Sequence, residues 1–283
     1  MRVYIFYFIA SFLLGMSAHA SEAAHAKAKP VTAQATPAAP SKPMETMRVV
    51  ADVWCPYNCS KTNKDPGYLI EVLQEIFTPL SIVIEYELMP WSRSIEMVRA
   101  GQFHALVGTS RRDTADLIFP NQPQGISNNY FYVKAGKSWR YSGIPSLANI
   151  ALGAIEDYAY SDDLDYYIAM HRNNPDRLQL VGGEDALELN IRKLIADRID
   201  AVCEDSFVMD YQLKVTARTG KLETAGELMS QQPQEARNVY IAFSANSPDS
   251  KRYAELLSKG FTELRHNGRL AQILAKYGLK DWQ

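Results

Sequence analysis

From Met47 onward the apolar residues switch repeatedly between a period of two and a period near 3.6, which predicts strands alternating with helices. Met47 to Val53 alternates and is rich in valine, so it predicts a first strand. In Pro66 to Phe77, Leu69, Val72, Leu73 and Ile76 fall at i, i+3, i+4 and i+7, one face of a helix. Ser81 to Leu88 alternates again through Ile82, Ile84, Tyr86 and Leu88. Beyond Pro90, Ile95 and Val98 share a helical face, Gly101 stands where a helix closes on a left-handed residue, and His104 to Val107 reads as a short strand. Asn128 to Lys134, rich in aromatics, Ile150 to Ile155 and Ile199 to Cys203 predict further strands, and Leu187, Ile191, Leu194 and Ile195 a further helix face. Pro248 to Tyr277 has helical spacing interrupted at Asn267-Gly268, which predicts two helices packed back on the first part of the fold.

Candidate chemistry gathers where the predicted strands end, because open α/β sheets form their ligand crevices at the carboxyl ends of strands. Gly108, Thr109 and Ser110, followed by Arg111 and Arg112, suit an anion there, most simply a carboxylate held by a bidentate guanidinium. The segment IEMVRAGQFHALVGTS from Ile95 overlays IRKLIADRIDAVCEDS from Ile191 at a constant offset of 191 − 95 = 96, with identities at Ile95/Ile191, Ala100/Ala196, Ala105/Ala201 and Ser110/Ser206. The overlay sets Thr109 against Asp205, so one unit brings arginine and the other an acid, which suits a ligand carrying both charges. Trp54 follows the first strand and so lies at the crevice, and Trp91 is a second candidate wall. Arg93, two residues on, either reaches the ligand or pairs with a surface carboxylate.

Composition narrows the setting. A chain of 283 residues with 47% hydrophobic and 22% charged residues is ordinary for a soluble protein of one large or two smaller domains. A net charge of −2 gives no electrostatic case for nucleic acid. Residues 1–20 read as a signal peptide cleaved after Ala20: Arg2 precedes an apolar run from Val3 to Leu14, and Ala18-His19-Ala20 is a small-x-small site. The run is shorter than the ~20 residues a bilayer needs, which argues against an anchor. Residues 21–46, rich in alanine and proline, read as a disordered linker. Export to an oxidising compartment predicts a disulfide between Cys55 and Cys59 and leaves Cys203 a free thiol in a buried strand. No metal site is expected, since the five histidines do not cluster at ligand spacing, and no Gly-x-Ser-x-Gly elbow suggests a catalytic serine.

Trp54-Cys55-Pro56-Tyr57, Pro66-Gly67-Tyr68, Gly101 to Arg112, Arg198-Ile199-Asp200-Ala201-Val202 leading to Asp205, Asn267-Gly268-Arg269-Leu270 and Lys276-Tyr277-Gly278 occur in an order that resembles the periplasmic solute-binding proteins of the polar amino acid type, family 3. The resemblance implies a type II periplasmic-binding-protein-like α/β fold: two lobes, mixed sheets with helices on both faces, and two crossover strands. It places lobe 1 at residues 47–134 and 238–283 and lobe 2 at residues 135–237, with hinges near Lys134 to Gly136 and Arg237 to Val239. It implies a monomeric periplasmic receptor that needs no cofactor, closes on a small polar solute and delivers it to an ABC permease. A cyclohexadienyl-dehydratase-like lyase, with Glu156, Asp157 and the acidic pair Glu204-Asp205 as candidate general acids, and a sensor for a membrane partner are the alternatives on the same scaffold. By the same resemblance Trp54 packs on the ligand, Arg112 clamps its carboxylate through the Thr-x-x-Arg spacing from Thr109, and Asp205 pairs with its ammonium. The spacing from Arg112 to Phe119 is one residue longer than the family's, which keeps Arg111 a rival clamp. Tyr158 and Tyr160 stand where the family often has Gly-Thr or Gly-Ser, which departs from a standard amino-acid pocket.

Overall fold

A computed structural model describes residues 44–228 and 233–283. The expected signal peptide lies outside the described residues, as does the expected linker up to residue 43. Glu45 and Thr46, assigned to that linker by sequence, instead open the first strand, where they pair with Ile82 and Val83. Among the described residues no helix is long and apolar enough to cross a membrane.

In chain order the elements are β1 (Glu45–Ala51), α1 (Tyr68–Phe77), β2 (Ile82–Leu88), α2 (Trp91–Arg99), β3 (Ala105–Thr109), β4 (Gly125–Ile126), β5 (Asn129–Lys134), β6 (Leu152–Ile155), α3 (Asp162–His171), β7 (Leu178–Val181), α4 (Ala186–Ile195), β8 (Ala201–Asp205), α5 (Ser206–Val215), β9 (Leu222–Glu227), β10 (Asn238–Phe243), α6 (Ser250–His266) and α7 (Arg269–Lys276). They build two five-stranded mixed sheets, ordered β2-β1-β3-β10-β4 and β7-β6-β8-β5-β9. In the first, β1 runs parallel to β2 and β3 while β10 is antiparallel to β3 and β4. The second repeats this layout: β6 is parallel to β7 and β8, and β5 is antiparallel to β8 and β9. The internal repeat is therefore structural, since shifting β3 by 96 gives 105 + 96 = 201 and 109 + 96 = 205, the bounds of β8.

The chain leaves the first sheet between β4 and β5, at Ser127-Asn128, which is earlier than the sequence places it. Asn129–Lys134, assigned by sequence to the end of lobe 1, hydrogen-bonds into the second sheet instead. The reason is its apolar content: Phe131 and Val133 are buried in one cluster of that lobe and Tyr132 in another, so the strand has side chains to bury on both faces. The return path reaches β10 beside the first crossing. There the Ser127 N–H donates to the Arg237 carbonyl at 2.8 Å, and Arg237 Nη1 donates to Asn128 Oδ1 at 2.9 Å.

The predicted α1 face is buried as its spacing requires, with Leu69, Val72, Leu73 and Ile76 in one core with Leu257 and Phe261 of α6 and Leu270 and Ile273 of α7. Each such side chain contributes about 1.5–3 kcal/mol on burial, so the C-terminal helices hold the first lobe together rather than decorate it. Gly101 takes the left-handed conformation expected of it, with φ 73°.

Candidate functional site

Behind β1 the chain turns tightly. The Trp54 N–H donates to the Asn58 carbonyl at 2.9 Å, and Cys55 and Cys59 are joined by a disulfide with their Cα atoms 4.4 Å apart. This loop aims the Trp54 indole along the crevice, stacked on Tyr57 with ring centroids 4.0 Å apart and planes 11° apart. Gly108 makes room for it. A Cβ there would stand 3.0 Å from Asn58 Oδ1 and 3.5 Å from Trp54 Cε3, and the residue has φ +87°, a conformation that favours glycine.

The acidic residues at the end of β8 divide their work differently from the sequence reading. Asp205 does not line the crevice; it is 0% exposed and its oxygens are committed to the protein. Oδ1 caps α5 by accepting the Phe207 and Val208 N–H groups at 2.9 and 3.1 Å, and Oδ2 accepts the Asn128 N–H at 2.9 Å and the Tyr57 hydroxyl at 3.2 Å. Glu204 lines the crevice instead, because neighbouring residues on a strand point to opposite faces. Its Oε1 accepts from Trp54 Nε1 at 3.4 Å and from the Asp205 N–H at 2.8 Å, while Oε2 is buried without a hydrogen-bond partner. Burial pushes the Glu204 carboxyl up to about 8. Burial likewise raises Asp52 to about 6, although its Oδ2 accepts the Tyr158 hydroxyl at 2.8 Å.

Of the two rival arginines, Arg112 lines the crevice, and it is already engaged: Nε donates to Asp162 Oδ1 at 2.9 Å and Nη2 to Asp165 Oδ2, both on α3 of the other lobe. Arg111 lies elsewhere, over the rings of Phe119 and Tyr240 at 4.5 and 5.1 Å. Arg93 is exposed on α2 and does not line the crevice. Trp54, Trp91, Gly108, Thr109, Tyr158 and Tyr160 do line it. Thr109 has its hydroxyl 3.0 Å from that of Thr114, and the Tyr160 hydroxyl accepts the Ile155 N–H at 2.9 Å, so both are structural as well as wall residues.

Asp52 and Arg237 are crevice residues that the sequence reading did not name, and Glu204 entered it only as one of four candidate general acids for the lyase alternative. Glu204 was legible as the partner of Asp205 in an acidic pair, but which of the two faces inward depends on the strand's orientation. Arg237 sits on the return crossing with Nη1 on Asn128 and Glu227, and its Nε is buried without a partner. No periodic pattern marks such a position.

The crevice has two chambers that share Asp52, Trp54, Trp91, Tyr158 and Glu204. Arg112 and Arg237 border one of them, of about 110 Å³. The other, of about 210 Å³, extends towards Gly182, Gly183 and the start of α4.

No curated protein matches the chain. Among solved structures, an ancestral arginine-binding protein bound to arginine is 17% identical, with 82% of this chain and 98% of that chain covered and a TM-score of 0.65. A histidine kinase sensor domain with similarity to periplasmic binding proteins is 18% identical over 85% of this chain and 100% of that one, also with a TM-score of 0.65. A structure described for glutathione import through GshT and the cystine ABC importer TcyBC of Streptococcus mutans is 18% identical over 82% and 94%, with a TM-score of 0.67. At these identities the likeness establishes the shared two-lobed fold. A family model described as bacterial extracellular solute-binding proteins, family 3, matches residues 47–280, and the chain belongs to that family.

Proposed function

We propose that this protein captures a small amino-acid-like, carboxylate-bearing solute between its lobes and delivers it, in the periplasm, to an ABC permease of the inner membrane. One observation carries the reading: the cavity between the lobes has an arginine border, with Arg112 and the unpartnered Nε of Arg237, and aromatic walls in Trp54, Trp91 and Tyr158. Arginine supplies paired donors that match a carboxylate, and flat rings pack on the rest of a small solute. Polar contacts already span the crevice, from Tyr158 to Asp52, Trp54 to Glu204, Ser92 to Asp157 and Arg112 to Asp162. Such contacts suit lobes that close on a ligand. Related folds named for binding arginine or glutamine agree with this class of solute.

The test is native mass spectrometry of gently purified protein, followed by a thermal-shift screen over amino acids, small peptides, organic acids and polyamines. A ligand that binds only the folded state must raise the melting temperature. The reading expects a shift with at least one amino acid or small peptide, and no shift with any carboxylate-bearing solute overturns it.

A second reading, a lyase acting on prephenate-like acids, is favoured by Glu204, a buried carboxyl raised to about 8 that lines the crevice with a proton to donate near neutral pH. A neighbouring fold described as an ancestral amino-acid-binding protein and a precursor of cyclohexadienyl dehydratase agrees with it. Incubation with prephenate, followed by ultraviolet absorbance of an aromatic product, separates the two: turnover supports the lyase, and its absence the receptor.

A further inference from the structure

The larger chamber is bordered by five carboxylates, Asp52, Glu156, Asp157, Glu184 and Glu204, and by no lysine, arginine or histidine. Among the described residues only Glu156 of these five forms a salt bridge, with Arg172. Asp157 accepts the Ser92 hydroxyl at 3.1 Å and Asp52 the Tyr158 hydroxyl at 2.8 Å, both neutral donors. Glu204 is the most telling member. It is 2% exposed, it lines both chambers, and its Oε2 has no hydrogen-bond partner although it is fully enclosed. A buried acceptor left unsatisfied costs about 1–3 kcal/mol, and more when charged, so a side chain held this way calls for a donor that arrives with the ligand.

The walls specify what kind of donor. Trp54, Trp91 and Tyr158 stand beside the carboxylates, and aromatic faces attract cations through their ring quadrupoles. Glu204 and Asp52 repel one another when both are ionised, unless a positive charge sits beside them, whereas Glu156, Asp157 and Glu184 stand at the exposed rim. A chamber of about 210 Å³ far exceeds the ~10–15 Å³ that one water requires, so it has room for a ligand group of several atoms. The apolar residues Leu88, Met89 and Leu187 line the same space, which suits an aliphatic stem carrying the charge.

We infer that this chamber is a subsite for a cationic group, a guanidinium or ammonium on an aliphatic stem, seated against Glu204 and Asp52. The inference rests on the proposed capture of an amino-acid-like solute and narrows it: the carboxylate lies towards Arg112 and Arg237, and the distal cation extends into the acidic chamber. Neutral amino acids of the same length leave Glu204 Oε2 without a charged partner and bind more weakly.

The experiment is isothermal titration of the full-length mature protein with L-arginine, with its neutral isostere L-citrulline, and with agmatine, which keeps the guanidinium and lacks the carboxylate. Arginine is expected to bind at least about thirtyfold more tightly than citrulline, a ratio in the range for losing one charged contact. Citrulline binding as tightly as arginine, or binding where arginine does not, overturns the cation subsite and leaves the amino-acid receptor standing. Agmatine binding as tightly as arginine upholds the subsite and defeats the carboxylate-bearing part of the receptor reading. Binding of none of these compounds overturns the subsite, whatever other solute the thermal screen finds. Glu204→Gln, checked for folding by circular dichroism, is expected to bring the arginine-to-citrulline ratio close to one, and an unchanged ratio in a folded variant overturns the role of Glu204. The comparison of ligands on the parent protein stands even if that variant fails to fold.

Discussion

Arg112 and Asp162 meet across the crevice, with Nε donating to Oδ1 at 2.9 Å, so the loop after β3 is tied to the first turn of α3. Their side chains are 38% and 93% exposed, and exposed pairs of this kind contribute about 0–1 kcal/mol. The pair therefore orients Arg112 more than it stabilises the fold. Asp162→Asn should leave the melting temperature nearly unchanged.

Arg112→Ala should behave very differently towards ligand. Losing a charged contact to a bound carboxylate costs about 2–5 kcal/mol, at least a thirtyfold loss of affinity. Arg111→Ala should change the dissociation constant only slightly, because Arg111 is spent on Phe119, Tyr240 and the Pro120 carbonyl. Calorimetric titration of both variants with a ligand from the thermal screen checks this. Parent-like binding by Arg112→Ala would remove the clamp.

Asp205 is expected to matter for stability rather than for ligand charge. Asp205→Ala removes the cap of α5 and strands the Asn128 N–H and the Tyr57 hydroxyl, of which the cap by itself is worth about 0.5–2 kcal/mol. Asp205→Asn keeps an oxygen for the cap and should cost less. Urea denaturation of the two variants should rank them in that order, with the parent most stable. A parent-like midpoint for Asp205→Ala would contradict the structural role.

The pH dependence has a definite sign. Glu204 at about 8, and Asp52 and Asp205 at about 6, hold protons in the folded state that the unfolded chain releases near its ordinary values of 4.5 and 3.8. Between those values the folded state binds more protons, so this contribution to stability is full below about pH 4 and is lost as pH rises to about 8. Ligand-free protein should melt at a higher temperature at pH 5 than at pH 8, and Glu204→Gln should flatten the upper part of that slope. A cationic ligand needs Glu204 ionised, so its affinity should rise towards pH 8 with proton release visible in calorimetry across buffers. A flat profile in both measurements would mean that Glu204 titrates normally.

Denatured, unreduced protein should show one reactive thiol, Cys203, and the native protein should react slowly because that residue is 1% exposed. Three thiols on denaturation would contradict the Cys55–Cys59 bridge.

Periodicity alone was enough to locate β1, α1, β2, α2, β3, α4 and the α6–α7 pair, because each buries a face whose spacing is fixed by local geometry. The offset of 96 between the two units was also readable, since equivalent strands repeat the same helix–turn–strand arrangement. Elements with mixed polarity, such as α3, α5, β7 and β9, left no comparable signal. The assignment of β5 to the second sheet was not legible either, because an apolar strand reads the same in whichever sheet it pairs. The site divides along the same line. Trp54, Trp91, Thr109 and Arg112 stand at strand or helix ends that the sequence marks. That Asp205 turns inward as a helix cap while Glu204 faces the crevice, and that Arg237 enters from the return crossing, was decided only when distant segments met. One residue along a strand reverses the facing of a side chain, and partners 77 and 109 residues apart, Asp205 with Asn128 and Arg237 with Asn128, are set by packing and not by neighbours in the chain.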